Sequence, residues 1–87
     1  METIGLFGRY HRLVRDLASQ GCRVDGWRLE LQQVLRSLDD DCRRLPQARS
    51  SLLRQDLSTQ IEQELLRRTD PDQAAVLIIV LKHLDAA

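Results

Sequence analysis

Apolar residues recur along this chain at three- and four-residue spacing, and the pattern is broken by Gly21, by Pro46 and by Asp70-Pro71. That period belongs to the α-helix. Over 3–20, Ile4, Phe7, Tyr10, Val14, Leu17 and Ala18 form one stripe, and Arg9, Arg12, Asp16 and Ser19 take the other face. Gly5 and Gly8 each cost about 1 kcal/mol relative to Ala inside a helix, so the first turns are expected to fray or to begin late. Gly21 is a natural stop, because only Gly enters the left-handed cap without a Cβ clash.

Gly21 to Val24 reads as a short loop, and Asp25 offers an N-cap oxygen. The second helix, about 26–44, has the cleanest period: Trp27, Leu31, Val34, Leu35, Leu38, Cys42 and Leu45 share one stripe. Asp39 with Arg43, and Asp40 with Arg44, stand acid before base at i,i+4, the favourable order. Arg43 and Arg44 also suit the negative end of the helix dipole. Pro46 disfavours helical geometry at Leu45 and ends the helix. Pro46 to Ser50 is then a linker, with Ser50 or Ser51 as the cap of a third helix over about 51–68. That helix carries Leu53, Leu57, Ile61 and Leu65 at i,i+4, with Leu52 and Leu66 nearly opposite and Glu64 placed to pair with Arg68.

The run Ala74-Ala-Val-Leu-Ile-Ile-Val-Leu81 is the most apolar stretch of the chain. Its β-branched content suits a strand. Asp70-Pro71-Asp72-Gln73 decides for a helix over 71–84: an N-cap carboxylate, a proline where the missing amide costs nothing, an acid at the positive end of the dipole, and a capping-box position. A lone strand would also lack a pairing partner in a helical chain. The predicted fold is therefore all-α: a compact bundle of four helices (about 3–20, 26–44, 51–68 and 71–84) in a single domain over 1–87, with helix four central or forming an interface.

Composition agrees with a folded, non-membrane chain. Its 87 residues are 43% hydrophobic and carry 13 basic and 13 acidic side chains, for a net charge of zero. That balance gives no general attraction to nucleic acid or acidic lipid. Residues 1–36 hold six Arg against four acids, and 37–87 hold seven basic against nine acidic residues; the asymmetry decides little. A domain of this size buries about 60% of its unfolded surface, so modest stability is expected. The apolar run at 74–81 falls far short of the ~18–20 residues of a membrane span. The expected location is cytoplasmic.

Chemistry finds few footholds. On a continuous second helix Cys42 lies about 24 Å from residue 26, and the four residues back to Cys22 recover at most about 14 Å. The remaining ~10 Å exceeds the ~7 Å Cα limit for a disulfide, so Cys22 reads as a loop thiol and Cys42 as a small core hydrophobe. His11 and His83 lack the short ligand spacings of a metal site; His83 suits the C-terminal end of a helix dipole. No nucleophile, phosphate-loop or dinucleotide motif occurs. Asp39, Asp40 and Asp41 point about 100° apart on a helix and cannot form one carboxylate site. The expectation is no catalytic residue, metal, cofactor or small-molecule substrate.

Two binding classes remain. Leu17-Ala18-Ser19-Gln20-Gly21 followed by Trp27-Arg28-Leu29 has the outline of a helix-turn-helix, and Arg9, Arg12, Arg15, Arg23 and Arg28 gather in the first third. The Ala18-to-Gly21 spacing is one residue short for that motif, and the second helix is acidic at 39–41 where phosphate contact favours a basic stripe. The favoured class is protein interaction. Helix four is apolar nearly all round, which demands burial on most sides, and Leu29, Leu52 and Leu66 lie off their helices' stripes. The expected function is a non-enzymatic interaction module (adaptor, chaperone or regulatory subunit) working as a homodimer or with a protein partner. Its contact residues would be Leu29, Leu52, Leu66, Ala75, Val76 and Ile79. A helix-turn-helix DNA-binding regulator is the second reading.

Overall fold

The computed structural model describes the backbone of residues 2–23, 25–67 and 70–86, with side chains from residue 5 onward. It is an all-α bundle of four helices: α1 (Glu2–Gln20), α2 (Trp27–Arg44), α3 (Gln47–Arg67) and α4 (Pro71–Ala86). α1, α3 and α4 pack most closely on one another, and α2 lies chiefly against α1. The radius of gyration is 12.4 Å, against about 12 Å expected for a folded chain of this length.

The stripes read from the sequence build the core. α1 contributes Tyr10, Val14, Leu17 and Ala18; α2 contributes Leu31, Leu35, Leu38 and Cys42. α3 adds Leu53, Leu57 and Ile61, and α4 adds Val76, Leu77, Val80 and Leu84. No charged side chain is buried among the described residues. Ile4 and the Glu64–Arg68 pair fall outside the described side chains.

Three helix starts differ from expectation, each for a local reason. α1 begins at Glu2 and runs through Gly5 and Gly8. Leu6, Phe7 and Tyr10 pack on the core from these same turns, and tertiary packing outweighs glycine's weak propensity. The cap of α2 is Gly26, at φ 83°, not Asp25, and it makes no side-chain cap bond. Its carbonyl accepts the Glu30 amide at 3.1 Å, so a left-handed turn replaces a side-chain cap. α3 begins at Gln47, so Pro46 to Ser50 is not a linker and neither Ser50 nor Ser51 is a cap. The Pro46 carbonyl accepts the Ser50 amide at 3.0 Å and opens the helix. Leu45, held extended at φ −87°, ψ 151°, has the geometry a residue before proline adopts. One proline thus ends α2 and starts α3.

The start of α4 is as the sequence implies. Asp70 Oδ1 accepts the Asp72 amide at 2.9 Å, and the Asp70 carbonyl accepts the Ala74 amide at 3.0 Å. Gln73 Nε2 donates to the Ser19 carbonyl at 3.4 Å, which ties the start of α4 to the end of α1. Gly21 caps α1 at φ 64°, its amide bonded to the Leu17 carbonyl at 3.0 Å. A Cβ on Gly21 would stand 3.1 Å from Asp72 Cβ, so the same glycine permits both the turn and the close approach of α4.

The chain's own core takes Val76, Leu77, Val80 and Leu84, while Ile78 and Ile79 remain 40% and 38% exposed. Helix four is therefore buried on one broad side, not all round.

Candidate functional site

The off-stripe leucines stand on the surface. Leu29 is 61%, Leu52 51% and Leu66 87% exposed. Leu52 and Leu66 lie 14 residues apart on α3, about 21 Å along the axis, so no single small patch holds both. Ile79 is exposed and Ala75 half-buried. Val76 is fully buried and offers nothing to a partner. It belongs to the core because it shares its side of α4 with Val80, one turn on.

The most developed concavity lies elsewhere, between α1 and α2. Arg9, Leu13, Asp16 and Gln20 flank it from α1, and Glu30, Gln33, Val34 and Ser37 from α2, around a volume of about 360 Å³. A second hollow of about 450 Å³ continues it past Gly5, Leu6, Asp41, Arg44 and Leu45. Arg9 lines both, so the two form one groove. From Gly5 to Gln20 it follows fifteen steps of α1, about 22 Å. Leu6, Leu13, Val34 and Leu45 are partly buried and rest on the core; they make an apolar floor. Gly5 and Gly8 leave the lower wall open, since a Cβ built on either meets nothing within 4 Å.

Tyr10 holds the groove's two walls together from beneath. Its ring is fully buried. Its hydroxyl donates to the Asp41 carboxylate and lies 3.0 Å from Ser37 Oγ. Burial pushes the Tyr10 phenol above its ordinary value, and the hydrogen bond to Asp41 adds to the shift; both favour the neutral, protonated ring. The Arg9 guanidinium sits 5.6 Å from the centre of that ring, within cation–π range.

The groove's rim is charged with opposite signs at its two ends. Arg9 and Arg44 stand at the lower end, with Asp41 engaged by Tyr10. Asp16 and Glu30 stand at the upper end. Among the described residues none of Arg9, Arg44, Asp16 and Glu30 has an ion-pair partner.

The remaining polar side chains fasten helices to one another. His11 Nε2 lies 3.1 Å from Glu64 Oε1, joining α1 to α3, and the Phe7 and His11 rings stack with centres 5.6 Å apart. His83 Nε2 lies 2.9 Å from Asp39 Oδ2, joining α4 to α2. That contact replaces the expected Asp39–Arg43 pair, and Arg43 instead meets Asp40 at 3.3 Å, one residue closer than the expected i,i+4 partner Arg44. Cys22 and Cys42 are free thiols. Among the described residues no three His, Cys, Asp or Glu side chains gather as a metal site, and no helix is long and apolar enough to cross a membrane.

The five N-terminal arginines do not form one row. Arg9 borders the α1–α2 groove, Arg15 faces Glu64 and Arg67 of α3, Arg23 reaches Asp70 at 3.3 Å and Arg28 lies over the Trp27 ring at 5.2 Å.

No family model matches the chain, and neither a curated protein nor a solved structure matches it. The groove was not nominated by the sequence reading. Its signal was present as a second stripe: Leu6 and Leu13, seven residues apart, lie beside the main stripe of α1 with two glycines on the neighbouring polar face.

Proposed function

We propose that the protein is a non-enzymatic protein-interaction module whose working surface is the α1–α2 groove. One observation carries the reading: an apolar floor of Leu6, Leu13, Val34 and Leu45 lies open between two helices, framed by charges with no ion-pair partner. A groove of that form suits an amphipathic helix, with side chains at i, i+3, i+4 and i+7 reaching the floor. The groove's side chains are apolar at the floor and charged at the rim, the division found in binding interfaces, where an apolar centre supplies affinity and a polar rim supplies register. Regulatory subunits, adaptors and chaperones all work through such a surface.

The test uses two groove variants and one control. Gly5→Trp fills the lower hollow from a position where added atoms meet open space, and Leu13→Glu places a charge on the floor. Leu66→Glu alters a residue 87% exposed outside the groove. All three should keep wild-type helicity. Affinity capture from the native cell, read by mass spectrometry, should lose a specific protein with both groove variants and keep it with Leu66→Glu. Identical captures from all four proteins would overturn the proposal.

A further inference from the structure

We infer that the groove's occupant is a second copy of this chain, docked antiparallel about a two-fold axis so that the basic end of each groove covers the acidic end of the other. The inference rests on the groove being the working surface and goes further by naming what fills it.

The argument is one of symmetry. A two-fold interface brings a surface against itself turned by half a revolution, so that surface must be complementary to its own rotated image. A uniformly charged rim would repel its copy. This rim reverses sign along its length. On α1, Arg9 and Asp16 are seven residues apart, about 10 Å, and their midpoint falls beside Leu13. On α2, Glu30 and Arg44 are fourteen residues apart, about 21 Å, and their midpoint is Ser37. Because α2 runs opposite to α1, the two cations share one hollow and the two acids the other.

The two midpoints also coincide in height. Tyr10 hydroxyl lies 3.0 Å from Ser37 Oγ, and Leu13 is less than one helical turn from Tyr10. A single axis near Leu13 and Ser37 therefore serves both helices. Rotation about it sends Arg9 and Arg44 over the copy's Asp16 and Glu30, twice over by symmetry. It also brings the apolar floor at Leu13 and Val34 against its own image. The four charges are exposed and lack ion-pair partners within the chain, so docking breaks no existing pair to make these.

Charge reversal with complementation tests this. One variant, Arg9→Glu with Arg44→Glu, makes the rim acidic throughout. The other, Asp16→Arg with Glu30→Arg, makes it basic throughout. Sedimentation equilibrium of the wild type at micromolar concentration should give twice the chain mass of 10.1 kDa. Each variant alone should dissociate at least about tenfold more readily, a change of about 1.4 kcal/mol. An equimolar mixture of the two should recover the dimer, and added salt should weaken it.

A wild type that stays monomeric, a dimer indifferent to both reversals, or a mixture that does not re-form would each overturn the inference. These failures are separable from failure of the groove itself. If the wild type is monomeric while Gly5→Trp and Leu13→Glu still lose a captured protein, the groove serves a different occupant. If those variants change neither mass nor capture, both readings fall.

Discussion

Replacing Tyr10 with Phe isolates the contribution of one hydroxyl to the α1–α2 contact. The ring is fully buried, and Phe fills the same volume, so no cavity forms. Lost are the donation to Asp41 and the contact with Ser37. A hydrogen bond to a charged group contributes about 1.5–3 kcal/mol. Asp41 and Ser37 are each only half-buried, so water takes up part of what they lose, which places the cost near the lower end, at about 1–2 kcal/mol. For a domain of this size that lowers the melting temperature by about 5–10 °C. Circular dichroism during thermal melting measures it.

The same hydroxyl gives a pH signature. The folded state raises the phenol above its ordinary 10.0, so an unfolded chain releases this proton first. Native protein then binds more protons than unfolded protein, and stability falls as pH rises. Tyr10's contribution is whole below pH 10.0 and is lost as pH climbs through the raised native value. Tyr10→Phe removes that part of the alkaline decline. Because the chain has a single tyrosine, phenolate absorbance follows this group alone. A native midpoint at or below that of the urea-unfolded chain would refute the reasoning, as would a melting temperature unchanged by Tyr10→Phe.

Three further substitutions probe the fold. Gly21→Ala should cost about 1–3 kcal/mol by urea titration, since it adds left-handed strain and a Cβ only 3.1 Å from Asp72 Cβ; a neutral result would show that the cap relaxes freely. Asp70→Ala removes the acceptor of the Asp72 amide and should cost about 1 kcal/mol, checked by chemical denaturation. Leu77→Ala empties a fully buried site and should cost about 2–5 kcal/mol, while Leu66→Ala, at 87% exposure, should stay within about 0.5 kcal/mol. Equal effects from the last two would mean that α4 is not packed as described.

What the sequence revealed, and what it hid, follows the range of each interaction. Asp70-Pro71-Asp72-Gln73 and Gly21 act through bonds only a few residues long, so the starts and stops they set were legible. The heptad-like stripes of α2 and α3 were legible because each carries one apolar face. α4 was not, since apolar residues on all sides leave no period to say which side turns inward; only the neighbours chose Val76, Leu77 and Val80 over Ile78 and Ile79. Tyr10–Asp41, His11–Glu64 and His83–Asp39 join residues 31, 53 and 44 positions apart, and no local pattern encodes such meetings. The groove escaped because it is a property of two helices side by side. Leu6 and Leu13 alone look like ordinary strays from a stripe.

The junction where the end of α1 meets the start of α4 also bears on the order in which the chain assembles. Gln73 to Ser19, Cys22 to Asp72 and Arg23 to Asp70 span 54, 50 and 47 residues. Closing loops of that length costs chain entropy before any contact returns it, whereas α2 and α3, hinged at Pro46, find each other locally. Non-local contacts of this kind slow folding. Interactions made after the rate-limiting barrier are felt in unfolding rather than folding rates. Weakening the junction at Asp70 or Gly21 should therefore speed the unfolding arm of a chevron plot and leave the refolding arm nearly where it was. Gly21 would act as the latch that keeps a folded molecule closed, with little say in how quickly it first closes.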